Sequence, residues 1–455
     1  MQRRRWTHTT ATGAAAFVAT MAACGQGQRD ALKASDRHVD VADEAGAAVI
    51  SGGPNDDRLC PNAPTTIAGI VKDPRGMTPL YNVLVYVPTE AVEPMPPPGP
   101  SCLQCGTPVS GKPAVKALTN TAGEFRLINA PAGKDIPLVI QVGKWRRQTV
   151  VKNVKPCQEN FVGDFEETRL PKKQSEGDMP QIALSTGGFD PLECLLRKIG
   201  IDDSEFTSNL GNGRVHVFQG VGGSQAKDAA PDARSLWSHE PTLAKYDMVM
   251  LGCEGDVPYA DSGDGAGAPS AKLLYNYANA GGRIFATHYH YYWFEFGPTG
   301  PLGSFRDVAT WTPSTATTGV GGIYNVDMSF PKGKAFAEWL KGVGASPIAG
   351  VIGLQDVRED IGAVNAAQGT QRWIYQGNST KYLSFNTPID KPADEQCGRA
   401  VLSDVHVSSG DETGTTFPDG CKSTVLSAQE QALEFLLFDL SACVQDDKKP
   451  PEVPR

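Results

Sequence analysis

The sequence predicts a multidomain protein: a β-sandwich followed by a doubly wound, mostly parallel α/β domain. Between residues 60 and 175, short runs of β-branched and small residues alternate with turn residues, and no helical period appears. Between residues 179 and 445, apolar strands alternate with amphipathic helices, which is typical of a parallel sheet covered by helices. A chain of 455 residues is long enough for two domains with linkers.

The overall composition excludes several classes of protein. A hydrophobic content of 40% suffices for real cores and excludes a disordered polyanion. No uninterrupted apolar run reaches about 18 residues, so a polytopic membrane protein is excluded. The net charge of −9 lacks the basic footprint of a general nucleic-acid binder. Ten cysteines suit an oxidising compartment.

The N-terminus has the pattern of an export signal over residues 1–24. The basic residues Arg3–Arg5 precede a short, mildly apolar segment, residues 11–23, that cannot span a bilayer. The segment Met21–Gly25 resembles a bacterial lipobox. The resemblance implies that Cys24 is lipidated and anchors the protein to a membrane, at the periplasmic or cell-surface side and in the outer membrane. The alternative is an ordinary cleaved signal peptide with Cys24 incidental.

Two terminal segments have compositions of unstructured chain. Residues 25–58 carry few large apolar groups and predict a flexible tether. Residues 446–455 are charged and rich in proline, which predicts a disordered tail.

The β-sandwich is predicted from a series of short strands. They are Thr65–Val71, Val83–Val87, Ala114–Thr119, Glu124–Ile128, Ile136–Val142 and Trp145–Val151. The segments Gly69–Val71, Leu80–Val83 and Thr121–Leu127 resemble the carboxypeptidase regulatory-like domains, which are transthyretin-like sandwiches. That resemblance implies a binding or spacer role rather than catalysis. The proline-rich stretch Glu90–Ser110 is an insertion in this pattern.

Cysteines and one basic segment are the distinctive residues of this first domain. Cys60, Cys102, Cys105 and Cys157 favour two structural disulfides, with a four-thiolate zinc site as the alternative. Lys144–Arg147 predicts a solvated strand edge whose positive charge blocks pairing with another edge, or else a contact for a ligand.

The second domain is predicted from alternating strands and helices. The strands are Gln181–Ser185, Arg214–Phe218, Asp247–Leu251, Arg283–Ala286 and Arg399–Val407, and the clearest helices are Pro191–Ile199, Ser270–Ala280 and Ala428–Leu440. Parallel sheets place ligands at the carboxyl ends of their strands. This rule selects Thr186–Gly188, Cys253–Gly255, Thr287–His290 and His406–Ser409.

The same segments resemble the class I glutamine amidotransferase-like fold. Tyr246–Gly252 matches the strand entering that family's first glycine loop, and Ala280–Ala286 matches the strand before its nucleophile elbow. Gly398–Val401 with His406 resembles the strand bearing its catalytic histidine. The elbow cysteine is missing, because the corresponding stretch is Thr287–His290. The resemblance therefore implies the family's fold and pocket without its amidotransferase chemistry.

Two chemical alternatives use the residues at these strand ends. Cys253 beside Glu254 could act as a nucleophile with His288 or His406 as its base. Alternatively His288, His290 and His406 could bind zinc, with Glu254 or Asp404 completing the site. The neutral interpretation is that the histidines are packed and hydrogen-bonded in an aromatic stretch, and that Cys253 is a buried thiol or a half-cystine.

The topology also suggests pairings for the remaining cysteines. Cys397 precedes a strand and Cys443 follows the last helix, so both lie at the amino edge of the sheet and predict a disulfide. Cys194, Cys253 and Cys421 belong near the carboxyl edge, where two of them can pair and one is left over.

The leading functional hypothesis is a non-enzymatic, lipid-anchored envelope protein that binds another envelope protein or a carbohydrate. It requires no cofactor and no nucleic acid. The alternative is a hydrolase using Cys253, Glu254, His288 and His406, with or without zinc.

Overall fold

The computed structural model describes residues 60–258, 269–313, 321–407 and 410–454, all within one compact unit. The predicted export signal, Cys24 and the tether lie outside the described residues. A β-rich part precedes a part built of strands and helices, which confirms the coarse fold prediction.

The β-rich part contains seven strands in two sheets. The strands are β1 Thr66–Ile70, β2 Leu84–Pro88, β3 Pro113–Leu118, β4 Glu124–Ile128, β5 Gly133–Val142, β6 Trp145–Val154 and β7 Glu159–Val162. One sheet has the order β4-β1-β7 and the other β3-β2-β5-β6. All pairings are antiparallel except β1 with β7.

Strand β2 is buried on both faces of its sheet. Its residues Val85 and Val87, together with Val83 just before the strand, join the main hydrophobic core, whereas Leu84 and Tyr86 pack in a separate cluster on the opposite face. This is the period-two alternation of a strand. The second face is covered by the insertion 90–110 and by Val453 near the C-terminus, so neither face is left to solvent.

The second part contains twelve strands in a single sheet. These are β8 Ile182–Thr186, β9 Phe206–Thr207, β10 Val215–Gln219, β11 Met248–Leu251, β12 Arg283–Thr287, β13 Ala309–Trp311, β14 Gly322–Val326, β15 Val351–Leu354, β16 Ile361–Val364, β17 Gln371–Gln376, β18 Ser379–Thr387 and β19 Gly398–Ser403. The helices are α1 Phe165–Thr168 (which links the two parts), α2 Leu192–Lys198, α3 Arg234–Trp237, α4 Glu240–Leu243, α5 Pro269–Asn279, α6 Tyr292–Glu295, α7 Pro331–Gly342 and α8 Ala428–Ser441.

The sheet is mixed rather than mostly parallel. Its parallel half has the order β9-β10-β8-β11-β12-β19, and these strands lie where the apolar runs predict them, apart from the short β9. Beyond β19 the pairing reverses, and β18, β17, β14 and β15 continue antiparallel. The expectation of a mostly parallel sheet is therefore wrong for the half formed by residues 309–387. No strong local pattern marks the strands of this half in the sequence.

Helices cover both faces of the parallel half. Residues Met248 and Met250 of β11 face the core that contains α2 and α8. Their neighbours Val249 and Leu251 face the cluster that contains α3, α5 and α6. Because alternate residues of one strand enter two different cores, the strand ends emerge between two helical layers.

The two parts share one continuous core. Ile67 and Val85 of the β-rich part belong to the same hydrophobic cluster as Leu184 of β8. The basic segment Lys144–Arg147 lies at this junction, where buried Lys144 forms an ion pair with Asp247. The predicted solvated edge is therefore wrong, because the sheet edge is covered by the second part.

Disulfides cross-link the two parts. Cys60 pairs with Cys157 inside the β-rich part, and Cys194 pairs with Cys421, which leaves Cys253 as the free cysteine among the described residues. The predicted Cys397–Cys443 disulfide is wrong. Cys397 pairs with Cys102, and Cys443 pairs with Cys105. The expected second disulfide within the β-rich part is also absent from these described pairings.

The physical reason is the position of the insertion. Cys397 and Cys443 do lie near one edge of the sheet, but the insertion reaches across to them, and Gln104 forms a bridge with Val444. Four disulfides are typical of an oxidising, extracytoplasmic compartment. Within the described residues, every helix is too short or too polar to cross a bilayer.

The C-terminal segment is ordered through residue 454, in contrast to the predicted disordered tail. Asp447 is buried and forms ion pairs with Lys332 at 3.0 Å and with Arg399 at 2.6 Å. Val453 is buried against β2 and its neighbours. Charge and proline content alone suggested disorder, but buried partners on distant elements hold this segment in place.

A buried carboxyl in the first turn of α2 predicts a pH-dependent stability. Burial, assisted by the nearby carboxylates of Asp190 and Asp411, raises the pKa of Glu193 to about 7. The folded state therefore holds a proton that the unfolded state loses above about pH 4.5. This contribution to the free energy of unfolding is complete below pH 4.5 and is lost as the pH rises through 7.

We expect the free energy of unfolding of the wild type to fall by up to roughly 3 kcal/mol between pH 5 and 8, relative to that of Glu193→Gln. Urea unfolding at both pH values, with disulfides intact, measures the difference. Glu240→Gln, in the exposed first turn of α4, is the matched control and should not alter the pH dependence. A parallel pH profile for wild type and Glu193→Gln would contradict the assignment.

Candidate functional site

The loops after the parallel strands meet at the carboxyl edge of the sheet, as predicted. The backbone N–H of Cys253, after β11, donates to the hydroxyl of Thr287 at the end of β12 over 3.0 Å. The backbone N–H of Val407, after β19, donates to the carboxylate of Asp190, after β8, over 2.8 Å. A side chain on Gly187 would collide with the Cys253 carbonyl, so the loops after β8 and β11 also lie in direct contact.

Three of the predicted residues converge at this edge. One sulfur or nitrogen atom from each of Cys253, His288 and His406 lies within 4.8 Å of the other two. The two imidazole rings are stacked with their centroids 3.3 Å apart. Cys253 and His288 are buried, and His406 is partly exposed. We refer to these three residues as the Cys–His–His cluster.

The cluster contains ring nitrogens that lack partners. Among the described residues, neither Nδ1 nor Nε2 of His288 forms a hydrogen bond of good geometry, although the backbone carbonyl of Asp404 lies near its ring, and Nε2 of His406 has no partner. Buried polar atoms are satisfied in the large majority of cases. Three unsatisfied nitrogens at one point therefore require a functional explanation.

The backbone of His288 has an unusual conformation. The residue follows β12 directly, has a φ of +46°, and begins the 3₁₀ helix His288–Tyr291. A bulky side chain at positive φ is rare and costs conformational energy, which functional sites commonly retain. The turn directs the chain away from the strand and brings His288 against His406.

Burial sets the protonation states of the cluster. Desolvation, with smaller effects of His406 and Arg358, places the pKa of His288 well below its usual value. Desolvation also lowers the pKa of His406 to about 3 and raises the pKa of the Cys253 thiol to about 12. At neutral pH the cluster therefore holds two neutral imidazoles and a thiol, not the thiolate and imidazolium of an activated nucleophile.

His290, predicted as a metal ligand, is placed outside the cluster. The indole N–H of Trp293 donates to its Nδ1 over 2.9 Å, so Nε2 carries the proton and donates to the carbonyl of Gly252 over 3.1 Å. Both ring nitrogens are engaged. The prediction relied on alternation along a regular strand, but the strand ends at Thr287 and the 3₁₀ turn changes the direction of the side chain.

Asp404 has a structural role at the same carboxyl edge of the sheet. Its Oδ2 accepts the backbone N–H groups of Asp360 at 2.9 Å and of Ile361 at 3.2 Å. Asp360 in turn forms a bidentate ion pair with Arg358. Arg358 and Asp360 were missed in the sequence, because they lie in the antiparallel half that no strong pattern marked.

Glu254 lies at a second feature of this edge, a cavity of about 400 Å³. Its lining residues come from the ends of β10 and β11 and from the start of α3: Gln219, Gly220, Val221, Gly222, Asp232, Ala233, Arg234, Trp237 and Glu254. We call it the Glu254 cavity. A side chain on Gly220 would collide with the Glu254 carboxylate, so this glycine is needed for the carboxylate's position.

Two buried polar atoms of the cavity lining have no hydrogen-bond partner among the described residues. They are Oε1 of Glu254 and Nε1 of Trp237. Desolvation raises the pKa of Glu254 to about 7. The sequence identified Glu254 but missed Trp237 and Arg234. The run Gln219–Gly223, immediately after a predicted strand, was the signal that could have located this cavity.

Comparisons with known proteins add little. No protein-family model matches the chain, and no curated protein matches it. Two solved structures are matched: C-terminal and N-terminal interface mutants of a type II cohesin–X-dockerin complex from Acetivibrio cellulolyticus. They are 12% and 14% identical, with coverage of 33% and 32% of this chain and 79% and 78% of theirs. At TM-scores of 0.15 and 0.16 the likeness supports no conclusion about fold or function.

Proposed function

We propose that this chain is an exported binding protein that holds a small, neutral, hydroxyl-bearing ligand of the carbohydrate class in the Glu254 cavity. The observation that carries the proposal is a cavity of about 400 Å³ at the carboxyl edge of the parallel strands, whose lining combines the carboxyl group of Glu254 with the indole of Trp237. The volume of the cavity is in the range of small-molecule sites. It lies at the carboxyl ends of the parallel strands, where α/β sheets bind their ligands.

The polar groups of the cavity favour a hydroxylated ligand. A ligand hydroxyl group can form a hydrogen bond with the carboxyl group of Glu254, and the indole of Trp237 offers an apolar ring against which a sugar can pack. Arg234 is already paired with Asp232, with its Nη2 2.8 Å from the carboxylate. Among the described lining residues it is the only cation, which leaves no free positive charge to attract an anion.

The disulfides support a site of action outside the cytoplasm. The lipid anchor at Cys24, the outer-membrane location, the transthyretin-like sandwich and the amidotransferase-like topology are parts of the same proposal. Their support is the pattern of residues in the sequence. A lipid at Cys24 would hold the cavity near the membrane surface, where envelope glycans are available.

We expect Val221→Trp to weaken the binding of a neutral sugar at least tenfold, because Val221 lines the cavity and a tryptophan there would fill it. Ligand-observed NMR with a panel of neutral monosaccharides and their N-acetyl derivatives measures the affinity. Ile323→Trp, at an exposed position on β14, is the matched control and should bind as the wild type does.

Glu254→Gln tests the same site without changing its volume. It alters the unpaired acceptor and is expected to weaken sugar binding about tenfold. The proposal fails if no neutral sugar binds at millimolar concentration, if sugar binding is equal in wild type and Val221→Trp, or if only charged molecules compete for the cavity.

A second candidate is a thiol hydrolase using Cys253, with His288 or His406 as the base. The convergence of these residues favours it, whereas the protonated thiol and the position of Glu254 in a separate cavity do not support it. Hydrolysis of an activated ester by the wild type, lost in Cys253→Ser, would favour this candidate over a binding protein.

A further inference from the structure

We propose that the Cys–His–His cluster is a site for a divalent transition-metal ion of the zinc class, bound by Cys253, His288 and His406. This site is separate from the Glu254 cavity and does not depend on it. The set differs from the three histidines that the sequence suggested, because Cys253 replaces His290 as a ligand.

The chemistry of the three donors fits zinc. One sulfur and two imidazole nitrogens form a borderline-soft ligand set of the kind zinc prefers. Bound zinc places ligand atoms about 2.0–2.3 Å from the metal, so neighbouring ligand atoms are about 3.5 Å apart. The cluster's atoms lie within 4.8 Å of one another. To bind one ion, the donor atoms must approach one another by about 1 Å, and at least one of the two stacked imidazole rings must turn, because the donor lone pairs lie in the ring planes.

The unpaired nitrogens distinguish these histidines from others in the described chain. The Nδ1 of His216 lies 3.0 Å from the hydroxyl of Tyr246, and His290 has partners for both ring nitrogens. His288 is completely buried and forms no hydrogen bond of good geometry through either nitrogen, with only the backbone carbonyl of Asp404 near its ring. A metal ion is a partner that would satisfy a nitrogen of His288 and the unpaired Nε2 of His406 at once.

A buried acidic side chain, Asp190, lies beside the cluster, and burial raises the pKa of its carboxyl group to about 7. Asp190 is buried, accepts the N–H of Val407 next to His406, and has an Oδ2 atom without a partner among the described residues. In its ionised form, a carboxylate in this position helps to stabilise a divalent cation. Of the nearby positive charges, Arg358 is compensated by its bidentate ion pair with Asp360, and Lys381 forms an ion pair with Glu359 at 3.4 Å.

Three protein ligands leave a fourth position of a tetrahedral ion open. Structural zinc sites use four protein ligands, whereas sites with three keep a position for water or an exchangeable ligand. His406 is the partly exposed member of the cluster, so the open position is expected on its side. A bound ion is therefore inferred to carry water or another exchangeable ligand at its fourth position rather than to have a purely structural role.

Metal titration of the oxidised protein, prepared without a histidine tag and without reducing agent, tests the proposal. After dialysis against a chelator, wild type is expected to bind one equivalent of Zn²⁺. One equivalent of Co²⁺ should produce a thiolate-to-cobalt charge-transfer absorption, which reports directly on the Cys253 sulfur. Circular dichroism confirms that each protein is folded.

Variants separate the cluster from adventitious binding. Cys253→Ser is expected to abolish the charge-transfer absorption, and His406→Gln to weaken zinc binding at least tenfold. The controls His290→Gln and His239→Ala, a buried and an exposed histidine outside the cluster, should retain one equivalent. The proposal is overturned if neither metal binds at micromolar concentration, or if binding survives in both Cys253→Ser and His406→Gln. Sugar binding in the Glu254 cavity is measured separately, so either proposal can fail alone.

Discussion

Replacing Asp447 by alanine is expected to lower the free energy of unfolding by about 3–5 kcal/mol. Asp447 is 4% exposed, and its carboxylate pairs with Lys332 on α7 and with Arg399 on β19. Removing one member of a buried ion-pair network leaves the other charges desolvated and incompletely compensated. Asp439 pairs with the same two cations and compensates part of the loss.

Chemical unfolding at neutral pH measures this effect. Glu452→Ala is the matched control, because it removes a carboxylate from the same C-terminal segment at an exposed position. Its effect should stay within about 0.5 kcal/mol. If both variants are equally stable, the C-terminal segment does not contribute to the fold in the way its contacts indicate. Deletion of residues 446–455 should lower the free energy of unfolding by at least as much as Asp447→Ala, because it also removes the buried side chain of Val453.

Removing both disulfides that join the two parts is expected to prevent stable folding at 37 °C. Cys102–Cys397 and Cys105–Cys443 close loops of 295 and 338 residues. In the chain-entropy model, links of this span contribute about 4 kcal/mol or more each. Their combined loss is comparable with the whole stability of a typical domain, about 5–15 kcal/mol.

Replacing the four cysteines by serine, in pairs and then together, provides the test. Replacing either pair should clearly lower the midpoint temperature of thermal unfolding, and the fourfold variant should show no cooperative unfolding transition. The variant lacking Cys60 and Cys157 is the comparison, because that link closes a loop of 97 residues and lies within the β-rich part. A fourfold variant with a midpoint within a few degrees of wild type would show that the hydrophobic junction alone holds the two parts together.

The parallel half of the sheet could be predicted because its signals are local. Strands such as β11 and β12 are apolar runs of four or five residues bounded by turns, and a buried parallel strand has no other pattern to show. The meeting of Cys253, His288 and His406 then follows from topology, because parallel strands end at one edge. The sequence therefore predicts that these residues meet, but it does not predict the distances between their side chains.

The remaining features depend on contacts between distant segments. Strands β14 and β17 mix polar and apolar residues, which is weak evidence for any element taken alone. The pairing of Cys102 and Cys105 requires the insertion to cross the junction, and no local pattern encodes that path. Asp447 likewise lies in a segment with the composition of disordered chain, and its partners are about 50 and 115 residues away in sequence.

The connectivity of the disulfides has a consequence for the order in which this protein can mature. A polypeptide emerges N-terminus first, so Cys102 and Cys105 meet each other and Cys60 well before Cys397 or Cys443 is available. Early oxidation would therefore trap non-native pairs. These can be corrected only by thiol–disulfide exchange after residue 443 has emerged. Correct maturation thus requires Cys102 and Cys105 to stay reduced, or their early pairs to be exchanged, until residue 443 is available.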